Sequence, residues 1–203
     1  MKRLTLGLLM PALLLLVAAC AQPPTEKLAA AEKAVADARA AGAPTYLGED
    51  FTKLEGMLAG AKKEITEQDA KFALLRDYGK SEQLLASVST DAARVTTETG
   101  KKKEEAKAAA IQAQQAAQAA VQAAQALVAK APAGKDRAAL QAIKADSEGL
   151  TASLADIQKA LDGGDYQGAQ AKAKAIQDKA KAISTEVETA LAKTRKGKPA
   201  TKK

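Results

Sequence analysis

Apolar residues recur along this chain at alternating steps of three and four. After Pro44 the positions Leu47, Phe51, Leu54, Leu58, Ala61 and Ile65 keep that rule, which puts them on one face of a helix as an a/d seam. Tyr78, Ser81, Leu85, Val88, Ala92 and Val95 repeat it, with a polar lapse at Ser81. Leu140, Ile143, Ser147, Leu150, Leu154, Ile157 and Leu161 form a further seam, followed by Tyr166, Ala169, Ala173, Ile176, Ala180, Ile183 and Val187. A shorter stripe, Leu28, Ala31, Val35 and Ala38, precedes Gly42. Nothing reads as a strand: there is no sustained β-branched alternation and no hairpin dipeptide between apolar runs. Narrow stripes of this kind suit antiparallel helices packed into bundles, and they would equally suit a partner helix.

The breaks fall where turns are needed. Ala41-Gly42-Ala43-Pro44 and Ala129-Lys130-Ala131-Pro132 each end a helix, because proline restricts the residue before it and lacks an amide donor. Asp162-Gly163-Gly164-Asp165-Tyr166 reads as a helix–helix turn in which Asp165 caps the following helix. Between Gly79 and Pro132 the only breaker is Gly100. Two readings follow: a loop at Thr99-Gly100, or one continuous helix of ~60 residues and ~90 Å.

The two halves also match each other. Ala-Gly-Ala-Pro at 41–44 falls on Ala-Lys-Ala-Pro at 129–132, and Asp77-Tyr78 on Asp165-Tyr166, both at an offset of 88. Between these anchors the offset slips to 89, with Phe51 on Leu140 and Ile65 on Leu154. A one-residue slip at loops with the seams kept is what duplicated helical units should show. The expected fold is therefore all-α: elongated antiparallel bundles, two duplicated three-helix units at 25–99 and 104–192. A shared connecting helix, as in spectrin-like arrays, is the continuous alternative at Gly100, and each unit would touch mainly its neighbour.

The N-terminal stretch breaks the amphipathic pattern. Lys2 and Arg3 precede an apolar run from Leu4 to Ala19, short for the ~20 residues a spanning helix needs. A charged start, a short apolar core and small residues at its end mark an export signal. Leu16-Val17-Ala18-Ala19-Cys20 resembles the lipobox of bacterial lipoproteins. That resemblance implies cleavage after residue 19, acylation of Cys20 (palmitate among the chains) and a short tether over 20–24. Several acyl chains hold a protein on a membrane where one binds only marginally. Ala21 stands where an aspartate would resemble the inner-membrane retention signal of enteric lipoproteins. The expected location is thus the periplasmic face of the outer membrane, with the inner membrane and the cell surface as the remaining alternatives. A single cysteine, so used, also removes any disulfide framework.

The mature body resembles the uncharacterised alanine-rich helical lipoproteins of Gram-negative bacteria. The residues that carry this are Ala31-Glu32-Lys33-Ala34-Val35-Ala36-Asp37-Ala38-Arg39 through Pro44, then a leucine-bearing helix, then an alanine helix opened by Asp-Tyr. The resemblance implies a helical envelope protein and no particular activity. Gly164-Asp165-Tyr166-Gln167-Gly168-Ala169 is also similar to the second-helix entry of tetratricopeptide-like repeats, but the 34-residue period of that family is missing.

Charge sharpens the picture at the C-terminus. The chain has 31 cations, 24 anions and a net charge of +7. Six cations, Lys193, Arg195, Lys196, Lys198, Lys202 and Lys203, lie in the last eleven residues, so 193–203 reads as a basic disordered tail on a nearly neutral body. Export argues against nucleic acid. The tail instead suits screened contact with anionic lipid or cell-wall polymer, or no contact at all. Lys203 is similar in position and type to the terminal lysine that Braun-type lipoproteins join to peptidoglycan, although those proteins are much shorter.

Candidate chemistry is thin. There is no histidine, which removes the commonest general acid–base group, and the lone cysteine leaves no thiolate–imidazole pair or nitrogen–sulfur zinc site. Glu49-Asp50 and Glu104-Glu105 are carboxylate pairs by composition, but adjacent helical residues diverge and lysines lie close, which is the pattern of a solvated face. The alanine helix around Ile111, Val121 and Val128 offers small residues for close approach, either to its own bundle or to a second copy. No catalytic residue, metal or cofactor is expected beyond the lipid on Cys20. The function expected is a non-enzymatic, lipid-anchored periplasmic spacer or scaffold; the alternative is an adaptor that binds a partner protein of an envelope complex.

Overall fold

A computed structural model describes residues 21–131 and 137–196, with side chains to Ala192. The protein is an all-α helical bundle, and no strand occurs among the described residues. Six helices follow one another among the described residues: α1 Thr25–Ala41, the single turn α2 Ala43–Tyr46, α3 Gly48–Asp69, α4 Gly79–Lys130, α5 Arg137–Asp162 and α6 Tyr166–Lys196. A 3-10 turn at Ala73–Leu75 lies between α3 and α4. The chain divides into two compact units whose boundary, between Lys102 and Lys103, falls inside α4.

Helix α4 runs through Gly100 without a break. Gly100 is exposed and a Cβ there would meet nothing within 4 Å, so the glycine costs only its helix propensity, about 1 kcal/mol relative to alanine, which the hydrogen-bond ladder on both sides outweighs. Glycine does end α1. Gly42 takes φ 101° and its amide returns to the carbonyls of Ala38 and Arg39, a left-handed C-terminal stop that a side chain would strain. Pro44 then falls in the first turn of α2, where its missing amide donor is no loss.

In the first unit the seams close on one core. Val35, Phe51, Leu54, Tyr78, Leu85, Val88 and Val95 are buried, with Ala31, Ala38, Ala61 and Ala92 between them. Ion pairs give the helix directions. Lys62 meets Glu32 at 2.6 Å and Arg39 meets Glu55, so α3 runs back along α1. Lys80 meets Glu64 at 2.6 Å and Arg94 approaches Asp50 at 3.8 Å, so α4 runs back along α3. Ser81, the polar lapse, is buried because its hydroxyl donates to the Tyr78 carbonyl at 2.8 Å.

The second unit is built from the latter part of α4 with α5 and α6. Gln114 donates to Gln158 and Gln125 to Thr151, each at 2.8 Å, so α5 runs antiparallel to α4. Gln170 and Gln177 donate to the carbonyls of Ala106 and Ala113 at 3.0 and 3.2 Å, so α6 runs parallel to α4. Side chains reach the α4 backbone because Ala110, Ala117 and Ala124 face Ala169, Ala173 and Ala180 in one core, and small residues let helices approach closely. Ile111, expected on the seam of this helix, is not part of it. Ile111 is 40% exposed; the seam passes through Ala110, one residue earlier. The turn between α5 and α6 follows the expected form. Gly164 takes φ 75°, the Asp165 amide returns to Ala160 O at 2.9 Å, and the Asp165 carboxylate accepts from the Gly168 amide at 2.9 Å.

The expected boundary of the tail at 193 also shifts. α6 continues to Lys196, since Lys-Thr-Arg-Lys contains no breaker before Gly197.

Candidate functional site

Most of the positions singled out for function lie outside the described residues. Cys20, Lys198, Lys202 and Lys203 are among them, while Lys193, Arg195 and Lys196 contribute only backbone, to the last turns of α6. The carboxylate pairs are not gathered into a site. Glu49, Glu104 and Glu105 are exposed, and Asp50 faces Arg94 beside a small hollow of 70 Å³. No helix among the described residues is long and apolar enough to cross a membrane, and none of their side chains form a metal-ligating cluster.

The most unusual surface is the connection from α3 to α4. Phe72, Leu74 and Leu75 are 70%, 71% and 71% exposed, whereas the seams on either side are buried. Scattered exposed leucines need no explanation, but three large apolar side chains within four residues form a patch. The backbone that carries them is tied down by a polar clasp. Arg76 donates through Nε to Lys71 O at 3.1 Å and through Nη2 to Asp69 O at 2.8 Å. The Gln68 side-chain oxygen accepts from Lys71 Nζ at 2.9 Å and from the Asp77 amide at 3.1 Å. The Tyr78 hydroxyl donates to the Asp69 carboxylate, and Asp77 accepts from the Gly79 amide at 2.9 Å, capping α4. The bonds to Asp69 O and from the Gly79 amide satisfy groups that the helix ends would otherwise leave open.

Below the clasp, Glu64 and Gln68 are buried polar residues. Glu64 accepts from Gln68 Nε2 at 3.1 Å and pairs with Lys80 at 2.6 Å. The Lys80 hydrogen bond, followed by that from Gln68, holds the Glu64 carboxyl below its ordinary pKa despite desolvation, and Lys80 is raised in return. Tyr78 is raised above its ordinary value, first by its hydrogen bond to Asp69 and then by burial. Gln68 was within reach of sequence reasoning, since the three–four rhythm of α3 continues from Ile65 to position 68. Glu64 and the exposed triad had no such signal, because burial beside a lysine and exposure of leucine both oppose their residue types.

A second feature is an open groove of 540 Å³ between α5 and α6, lined by Ala145, Asp146, Gly149, Leu150, Lys179, Ile183 and Glu186 among others. Small residues at 145, 149 and 182 leave it unfilled. Its walls carry both charge signs and no convergent set of reactive groups.

Comparison of the chain with protein-family models, curated proteins and solved structures finds no match.

Proposed function

We propose that this chain is a non-enzymatic lipoprotein of the bacterial envelope that acts as a helical spacer or scaffold. The observation that carries this is Leu16-Val17-Ala18-Ala19-Cys20, placed after a charged start and a short apolar run. Helix α1 begins at Thr25, five residues after that cysteine, which suits a lipid attached by a short tether to a folded body. Acylated Cys20 fixes the N-terminus to the bilayer, at the outer membrane facing the periplasm by the residue at 21. The bundles set reach, and Lys193, Arg195, Lys196, Lys198, Lys202 and Lys203 offer charge to anionic lipid or cell-wall polymer. No cofactor enters this reading.

Fractionation tests both ends. The Cys20→Ala chain should pass largely from the membrane fraction to the soluble one, and retention equal to that of the unchanged chain would defeat the lipoprotein reading. Deletion of 193–203 should lower association with isolated sacculi; unchanged association would remove the cell-wall contact.

The groove between α5 and α6 favours a second reading, an adaptor that holds a partner protein. Crosslinking followed by capture separates the two: a scaffold yields membrane-surface or sacculus material, an adaptor one stoichiometric protein.

A further inference from the structure

Phe72, Leu74 and Leu75 lie at the end of the first unit from which the lipid tether departs. Lys27, in the first turn of α1, pairs with Glu82, in the first turn of α4, at 2.6 Å. α4 starts directly after the clasped turn, so the start of α1 and the apolar knuckle share one end of the three-helix unit. Cys20 precedes Thr25 by five residues, at most ~18 Å of extended chain. Any bilayer that holds an acyl group on Cys20 therefore faces this end.

We propose that the α3–α4 turn is a second membrane contact, in which Phe72, Leu74 and Leu75 enter the interfacial layer of the bilayer that carries the Cys20 lipid. This rests on the lipoprotein reading and adds an orienting contact to it. The chemistry fits a lipid surface. The three apolar side chains are each about 70% exposed, and burial of such residues at the acyl boundary is what holds interfacial segments. Of the cations in this stretch, Arg76 is engaged by the Lys71 and Asp69 carbonyls and Lys80 by Glu64, while Lys71 bonds only the neutral Gln68 amide and keeps its charge for a lipid phosphate. The two acids of the turn are occupied internally, Asp69 by the Tyr78 hydroxyl and Asp77 by the Gly79 amide. Because the clasp fixes the backbone, little ordering entropy opposes insertion. A lipid on a flexible tether leaves a bundle free to tumble; a second contact on the same end sets it upright on the membrane.

The test uses the full chain, matured in vivo and reconstituted in phosphatidylethanolamine–phosphatidylglycerol vesicles. The protein has no tryptophan, so Phe72→Trp introduces a single tryptophan at an exposed site, excited selectively over the three tyrosines. A second variant, Ala93→Trp, places it at an exposed position ~21 Å further along α4. With lipids brominated near the headgroup, emission from position 72 should be blue-shifted and should lose most of its intensity, while emission from position 93 stays unquenched. Equal, weak quenching at both positions would overturn the proposal. A blue shift at 72 without bromolipid quenching would also overturn it and assign the knuckle to a protein contact or a second copy. Phe72→Ser, Leu74→Ser and Leu75→Ser combined in the Cys20→Ala chain should reduce vesicle partitioning roughly tenfold; unchanged partitioning would count against it. The mass of the intact chain reads acylation separately. An acylated chain with no quenching at 72 defeats the knuckle alone, whereas an unmodified Cys20 defeats the lipoprotein reading and this inference with it.

Discussion

The two units pass from their second to their third helix in different ways, although Asp-Tyr stands at both junctions. In the second unit Gly163 and Gly164 reverse the chain at once, and Asp165 caps α6. In the first unit eight residues, 70–77, intervene before Tyr78, including a 3-10 turn. Arg76, Gln68 and Asp69 hold that longer path, and three large apolar residues are left outside. The tyrosines follow suit: Tyr78 is buried and hydrogen-bonded to Asp69, whereas Tyr166 is only half-buried. A tight glycine turn solves chain reversal and does nothing else. A long turn tied by side chains can present residues to something beyond the bundle.

The cores differ as well. At the offset of 88, Leu85 falls on Ala173, and both are buried. The first unit fills its centre with leucine, phenylalanine and tyrosine; the second brings α4 and α6 together across alanines. The same exchange should therefore have opposite physical causes in the two places. Leu85→Ala should leave a cavity and cost about 2–5 kcal/mol. Ala173→Leu should overpack a close helix contact and cost about 1–3 kcal/mol. Urea denaturation combined with amide hydrogen exchange checks both, and each loss should concentrate in the unit that carries the change. A tolerated Ala173→Leu would show that the alanine contact is not tight.

The caps offer a finer comparison. Asp165→Ala removes the side-chain cap of α6 and should cost about 1 kcal/mol, visible as faster exchange at the Gly168 amide. Asp77→Ala should cost less, because Arg76, Gln68 and Tyr78 still hold the turn. Equal losses would mean that the clasp contributes little.

Acid should weaken the first unit through Glu64, as it acts on the second through Asp178, held below its ordinary pKa by Lys174. The Glu64 carboxyl titrates below the ordinary value in the folded chain. Between the two values the unfolded chain binds more protons, so stability falls as pH falls. The contribution is complete above the ordinary carboxylate pKa and is gone below the folded one. Glu64→Gln should flatten that stretch of the stability–pH curve for the first unit and leave the second unchanged, as read from urea midpoints taken from neutral pH downward.

The smallest effect expected is a gain. Gly100→Ala, at an open and exposed helical position, should stabilise α4 by about 0.5–1 kcal/mol. The same change at Gly42 should destabilise, because φ 101° strains any side chain. Thermal unfolding of the two variants makes the contrast direct.

Much of this architecture was legible beforehand. Leu28, Ala31, Val35, Ala38, Phe51, Leu54, Leu85, Val88, Ile157 and Ile176 all turn inward or lie at the edge of a core, because a period near 3.5 leaves a helix only one face to bury. The capping role of Asp165 was equally readable, since an aspartate after paired glycines has few other local uses. Ile111 misled because alanine supplies no contrast: along 106–124 nearly every register carries small apolar residues, and packing selected the one through Ala110. Local pattern leaves continuity through Gly100 open for a similar reason, a single glycine being cheap when its neighbours favour helix.

What local pattern specified was helices, their inward faces and their breaks, because backbone propensity and periodicity act within a few residues. The clasp and the end from which the knuckle projects depended on partners far apart in the chain: Glu64 beside Lys80, Asp69 beside Tyr78, Lys27 beside Glu82. Buried polar groups become acceptable only when folding supplies such partners, and no run of residues read on its own contains that information.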